Sequence, residues 1–238
     1  MKSVCMAAYN GEKYIGGQVR SVLLNLSVED ELLISDDGST DGTWDLLCSF
    51  QREDGRIRLF HGPHKGVNAN FGFLLSKASG DIIFLCDQDD IWDEGKAAEV
   101  EKAFRQNRCC VVVHDARVVD EDGRVLIPSF MDYRHSGPGA LKNIWKNSYM
   151  GCTMALRREL LEYVLPIPEG IEMYDQWIGV LGDLHGGSCF LHEVLFSYRR
   201  HGQNVSSMEH YPLPKMLRNR IVFTWRLLQR QARGRKRL

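Results

Sequence analysis

No apolar run in this 238-residue chain exceeds about five residues, far short of the ~18 that suggest a membrane span. Strand-like sequence follows Met1 in place of a charged and then apolar leader, so a soluble protein that stays in the cytoplasm is expected. The seven cysteines form no CxxC and no Cys/His pairing suited to zinc. Most lie inside apolar runs and read as small buried hydrophobes in a reducing compartment. The GxGxxG turn that would meet a dinucleotide after the first strand is absent, and Tyr9-Asn10-Gly11 stands in its place. A Walker-type phosphate loop and internal repeats are absent as well.

Acidic residues are missing from one region only. Lys215 to Leu238 holds nine Lys/Arg and no Asp/Glu, which leaves 21 basic against 31 acidic side chains, about −10, in the rest of the chain. The tail is therefore a separate electrostatic object. Its cations are interleaved with Ile221, Val222, Phe223, Trp225, Leu227 and Leu228, the pattern of an amphipathic basic helix that meets an anionic membrane through Trp and Phe. Nucleic acid and plain solvent are the alternative surroundings for such a charge run.

The chain is 44% hydrophobic and 26% charged, enough for one large core or two halves sharing one. SVCMAAY reads as a buried strand, and NGEKYIGGQVRSVLLNL has helical spacing in Val19, Val22, Leu23 and Leu26. ELLISDDGSTDGTWDLLCSF repeats strand, turn and helix, with Thr40 or Asp41 available as a cap. IRLFHG, NANFGFLLSKASG and DIIFLC continue the alternation. Strands alternating with helices predict a parallel, doubly wound sheet that binds ligands beyond the carboxyl ends of its strands. AYN, SDDGSTD and CDQDD all fall there. After Asp115 the pattern weakens into a VVVHDARVVDEDGRVL hairpin, a loop near Ser136 to Gly139, and helices around Arg157 to Val164 and Tyr174 to Leu184.

FLCDQDDIW crowds Asp87, Asp89 and Asp90 behind an apolar run. Like charges so close disfavour joint ionisation unless solvent or a cation compensates them, and no basic side chain is adjacent in sequence. The segment is either a solvated turn, with Asp90 capping the next helix, or a cation site.

AYNGEKYI, SDDGSTDGT, GVNANFGFLLSKASGDIIFLCDQDDIW, MGCTMALRREL, YDQWIGVL and YRRHGQN occur in the order and spacing of family 2 glycosyltransferases of the GT-A fold, over roughly Ser3 to Ser207. The chain resembles bacterial rhamnosyltransferase-type members most. The resemblance implies an α/β GT-A fold with a doubly wound, mostly parallel central sheet. Residues 1–105 would form its nucleotide-sugar half, 106–214 its acceptor half and 215–238 the basic helical tail.

It also implies site residues. Ala7 would line the nucleotide, Tyr9 would stack on the pyrimidine, and Asp36 or Asp37 would accept its N3–H; a core-edge aromatic and an ordinary turn former are the plainer readings. Gly66 and Asn70 would line nucleotide and sugar, with His64 standing where the family more often has Asn. Asp87 and Gln88 would lie near ribose or sugar, and Asp89 would hold Mg²⁺ or Mn²⁺ on the diphosphate. His201 would touch metal or diphosphate beside Arg199 and Arg200, or serve as a structural histidine. Asp175 would be the catalytic base, or an N-cap for its helix.

The implied activity is inverting, metal-dependent transfer of one sugar, L-rhamnose first, from a dTDP or UDP donor to a hydroxyl of a lipid-linked oligosaccharide or other glycan. Without membrane helices or QxxRW, single additions are expected, at the inner face of the cell membrane and without nucleic acid as a partner. A nucleotidyltransferase and a catalytically silent sugar-nucleotide or membrane-binding module are the competing readings.

Overall fold

The computed structural model describes residues 1–202 and 212–234. Gln203 and Asn204 of YRRHGQN, and Arg235 to Leu238 of the basic tail, lie outside the described residues. The chain runs β1 (Lys2–Ala8), α1 (Ile15–Leu23), β2 (Glu31–Asp36), α2 (Thr43–Glu53), β3 (Ile57–His61), α3 (Val67–Lys77), β4 (Ile82–Asp87), β5 (Ile91–Trp92), α4 (Lys96–Gln106), β6 (Val111–Val119), β7 (Val125–Ile127), α5 (Phe130–Arg134), α6 (Ala140–Trp145), β8 (Met154–Arg157), α7 (Leu161–Val164), α8 (Tyr174–His185), β9 (Ser188–Arg199) and α9 (Leu213–Gly234).

Among the described residues the strands form one sheet in the order β3-β2-β1-β4-β8-β6-β9-β5, with β7 paired to β6. β1 to β4 are all parallel, and β8 joins β4 and β6 with antiparallel pairing on both sides. Strands buried on two faces alternate between two cores. Val4, Met6, Ile34 and Phe84 pack under α1, α2 and α4, with Val19, Leu47 and Val100. Cys5, Leu33 and Leu85 face the other way, against Phe71, Leu74, Trp177, Phe223 and Leu227 of α3, α8 and α9.

The parallel half, the β6–β7 hairpin and the helix after Met173 match expectation. Three local expectations differ. Arg157 closes strand β8, so the helical stretch starts with a short 3₁₀ turn at Arg158–Leu160. Asp90 caps no helix: α4 starts after Gly95, which sits in the left-handed region, and Asp90 Oδ1 accepts from the Arg199 backbone N–H at 3.0 Å. The basic tail is not detached. Phe223 and Leu227 are buried in the second core, Phe223 packs edge-on to Trp177, and Arg230 donates to the carbonyls of Tyr163, Leu165 and Pro166. Phe223 therefore cannot anchor a membrane. All seven cysteines are free thiols and five are buried, as expected of small core hydrophobes. No helix among the described residues is long and apolar enough to cross a membrane.

Candidate active site

β1 and β4 are neighbours although five elements, α1, β2, α2, β3 and α3, lie between them in the chain. To one side of β1 the chain continues to β2 and β3, to the other to β4, so the crevice beyond their carboxyl ends is a topological switch point. Ala7 pairs with Ser35 and Asp87 at that edge. Tyr9, just beyond it, is 56% exposed, which leaves its ring accessible at the mouth of the crevice.

The loops around Tyr9 are tightly held. Gln88 takes the Tyr9 backbone N–H at 2.9 Å and returns its own amide to the Tyr9 carbonyl at 2.8 Å. The Gln88 side chain thus fixes the crevice floor. A Cβ at Gly11 would lie 2.1 Å from Gln88 Oε1, so a larger residue there would push the Gln88 amide off the Tyr9 backbone. Asn10, at φ 48°, accepts from Thr40 N–H at 2.8 Å.

Asp36 and Asp37 end β2 in different environments. Asp36 is buried, its Oδ1 accepting from the backbone and hydroxyl of Ser39, while Oδ2 takes no hydrogen bond from the described residues. Asp37 spends both oxygens on the next loop, accepting from His64 N–H at 2.7 Å and Gly66 N–H at 2.8 Å. His64 adopts φ 55° and Gly66 φ 82°. Asn tolerates that left-handed region better than His, and Asp37 holds the loop in it. Asn70 donates to the Ser35 carbonyl, while its buried Oδ1 has no partner.

The acidic cluster lies at the end of β4. Asp90 is fully buried and its Oδ2 has no partner. Oxygens of Asp87 and Asp90 and the Cys152 sulfur lie within 4.8 Å of one another. Burial, then the Asp89 and Asp175 charges, push Asp87 up to about 7; burial and the other two carboxylates hold Asp90 well above its usual range. Asp89 contacts His201 Nε2 through Oδ2 at 2.8 Å, and its carbonyl accepts from Arg199 Nε. Tyr14 stacks on the His201 ring at 4.7 Å between centroids. The carboxylates of Asp87, Asp89 and Asp90, with one orphaned oxygen on Asp90, are hard oxygen donors of the kind that fits Mg²⁺ or Mn²⁺, while the His201 nitrogen on Asp89 is a softer donor that suits Mn²⁺ better than Mg²⁺.

Asp175 is the second residue of α8, not its N-cap, which is Met173. It is buried. Oδ1 accepts from Gln176 N–H at 2.5 Å and Asn147 Nδ2 at 3.4 Å, and Oδ2 from Gly151 N–H at 3.2 Å. Burial outweighs these donors and lifts the group to about 6, a level at which a carboxylate accepts a proton well near neutrality. Glu172 and Asp183, the other acids nearby, are occupied. Glu172 is bonded to Asn219 and paired with Lys215 of α9, and Asp183 accepts from Tyr149 Oη and Gly139 N–H.

Lys96 escapes a reading of the sequence. Its side chain is 1% exposed, sandwiched between the rings of Trp92 (4.0 Å) and Phe196 (4.5 Å). The cluster therefore has a basic neighbour, at a position that reads in sequence as an ordinary exposed first-turn lysine.

A family model for glycosyl transferase family 2 matches residues 3–165. An uncharacterized glycosyltransferase of Nostoc sp. is 26% identical over 85% of this chain and 65% of its own length. The Escherichia coli UDP-Glc:alpha-D-GlcNAc-diphosphoundecaprenol beta-1,3-glucosyltransferase WfgD is 28% identical over 86% of this chain and 79% of its own. This chain is shorter than both. Among solved structures, S. aureus TarS in complex with UDP-GlcNAc superposes with a TM-score of 0.72 at 19% identity, over 93% of this chain and 66% of that one. The mannosyltransferase PcManGT from Pyrobaculum calidifontis, in complex with GDP-Man and Mn²⁺, gives 0.67 at 15% identity, over 97% and 73%. These likenesses establish the GT-A fold, and with the family match over most of its length the chain belongs to the family 2 glycosyltransferases.

Proposed function

We propose that the protein transfers a single sugar, with inversion, from a UDP or dTDP donor to a hydroxyl of a lipid-linked surface polysaccharide precursor, with L-rhamnose the first sugar to try. The observation that carries this reading is that one short turn, Gly151–Thr153, joins two carboxylate sets: Cys152 lies within 4.8 Å of the Asp87 and Asp90 oxygens, and Gly151 donates its N–H to Asp175. An enzyme that only bound sugar nucleotides would have no use for the second.

In residues 1–105, Tyr9 would cover the pyrimidine and the free Asp36 oxygen would accept N3–H, with Asp37, Gly66 and Asn70 shaping that wall and Ala7 and Gln88 the floor. Asp89 and His201 would hold Mg²⁺ or Mn²⁺, with Asp87 beside the sugar. When bound, the metal would supply positive charge at the departing diphosphate. In residues 106–214, Asp175 would take the proton from the acceptor hydroxyl as that oxygen attacks the anomeric carbon from the face opposite the diphosphate. Donors at Gly151, Gln176 and Asn147 hold it still. The diphosphate named for the WfgD acceptor supports a lipid-linked substrate. Thermal shift with a panel of nucleotide sugars, with and without Mn²⁺, tests the donor, since a ligand of the native state raises its apparent stability. Stabilisation by UDP- or dTDP-sugars is expected; a response to nucleoside triphosphates alone would favour a nucleotidyltransferase.

An acceptor of that kind places the enzyme at the inner face of the cell membrane, and α9 suits such work. Its outer stripe exposes Leu217, Ile221, Trp225 and Leu228, opposite buried Phe223 and Leu227, and the helix has no acidic residue. A helix with one face in the protein and an apolar, cation-flanked face outside can lie on anionic lipid. Truncation at Pro214 would also strip Phe223 from the core, a loss worth ~3–5 kcal/mol, so point substitution is the sound test. Sedimentation with phosphatidylglycerol vesicles is expected to show salt-sensitive binding that Ile221→Glu/Trp225→Glu abolishes. Equal pelleting of the variant would reject the membrane face.

A further inference from the structure

A lysine with no solvent contact needs a reason. Lys96 Nζ makes one hydrogen bond, to the Cys152 carbonyl at 3.1 Å, and otherwise rests on the Trp92 and Phe196 rings. Burying an ammonium with a single acceptor is costly, and burial draws its affinity for the proton down to about 8. A methionine would fill the same slot with no charge to desolvate. Its charge is felt by the buried acids around it, lowering both Asp87 and Asp90 against the effect of burial.

The residue it holds is equally informative. Cys152 is the middle of the 3₁₀ turn Gly151–Thr153. One neighbour in that turn, Gly151, donates its N–H to Asp175 Oδ2. The Cys152 sulfur itself lies within 4.8 Å of carboxylate oxygens of Asp87 and Asp90. One short turn thus touches the donor-side cluster and the candidate base, and the Lys96 ammonium anchors it from behind.

We propose that Lys96 is a positioning residue for the transfer reaction: it offsets part of the negative charge of Asp87 and Asp90 from inside the protein, and it fixes the Gly151–Thr153 turn that sets Asp175 against the donor site. The first role keeps the cluster from binding a divalent ion tightly before the nucleotide diphosphate arrives. The second keeps the base in register with the sugar. This rests on the metal and base assignments above but adds a residue to them.

Lys96→Gln and Lys96→Met separate the two roles. Glutamine removes the charge and keeps a donor for the Cys152 carbonyl; methionine removes both. Mn²⁺ binding to the nucleotide-free protein, read by electron paramagnetic resonance at one pH, is expected to tighten about tenfold in both variants, the scale of one unit charge near a divalent ion in a partly solvated site. Turnover is expected to fall about tenfold or more in Lys96→Met, with the donor KM changed far less, and to stay within about threefold of wild type in Lys96→Gln. Mn²⁺ affinity within twofold of wild type in both variants overturns the charge role, and equal turnover in Gln and Met overturns the anchoring role. If wild type itself binds no Mn²⁺, the metal reading fails separately and the Gln–Met difference in turnover still decides the anchoring role. Should Lys96→Met not fold, Lys96→Gln alone reads the charge, and the anchoring role predicts that Lys96→Leu, uncharged and without a donor for the Cys152 carbonyl, loses turnover at a temperature where its melting curve shows it folded; full turnover in it overturns that role.

Discussion

Asp175→Asn lowers turnover by roughly 10²–10⁴, equivalent to about 3–5 kcal/mol of transition-state stabilisation, with donor affinity little changed. The expectation follows from the position of the group. Asp175 comes from α8 and not from the loop after β4 that carries Asp87, Asp89 and Asp90, and its two oxygens are oriented by Gly151, Gln176 and Asn147. Asparagine keeps the shape but offers one acceptor to backbone donors that occupy both oxygens, so a stability loss of about 1 kcal/mol is also expected. The larger effect is loss of basicity. Because burial lifts Asp175 to about 6, it must be unprotonated to act, and wild-type turnover should rise with pH through about 6 and level above it. A variant within tenfold of wild type, measured with a verified acceptor and chemistry limiting, would move the base elsewhere. Glu172 and Asp183 are poor substitutes, being committed to α9 and to Tyr149.

Asp89→Ala abolishes metal-dependent donor binding and lowers turnover at least about 10²-fold, since a metal at the diphosphate contributes several kcal/mol. The fold should survive. Removing Asp89 relieves repulsion on Asp87 and Asp90, both raised partly by its charge, and gives up its contact with His201. Calorimetric titration with UDP and Mn²⁺ reads the effect directly. Retention of full activity in metal-free buffer by this variant would contradict the assignment of Asp89.

The parallel half was legible because its signals are local. Each strand of β1 to β4 carries a short apolar run and a polar cluster at its carboxyl end, so Tyr9, Asp36, Asp87 and Asp89 could be assigned to one edge from sequence. Strands β5, β8 and β9 were not visible as sheet members. β5 has two residues and β8 four, and each is stabilised by partners distant in sequence, a cost and a gain that no local window contains. Gln88 lies in the motif between two carboxylates, and the sequence does not show that its amide bonds the Tyr9 backbone. Lys96 was hidden because a lysine in a first helical turn reads as solvated; only its burial between Trp92 and Phe196 shows otherwise. In α9 both apolar stripes were present in the sequence, and packing decided which one faces inward. A window of Ile221 to Leu228 cannot tell Phe223 from Trp225.

The most direct test of the transfer chemistry is the anomeric configuration of the product. The donor that stabilises the protein in the thermal shift panel is incubated with enzyme, Mn²⁺ and a polyprenyl-diphosphate-linked sugar, and the one-bond carbon–proton coupling at the new anomeric centre is read by NMR. A configuration opposite to that of the donor, formed by wild type and absent with Asp175→Asn, is the expected result. Retained configuration, or inverted product formed equally fast by Asp175→Asn, would contradict direct displacement with Asp175 as the base.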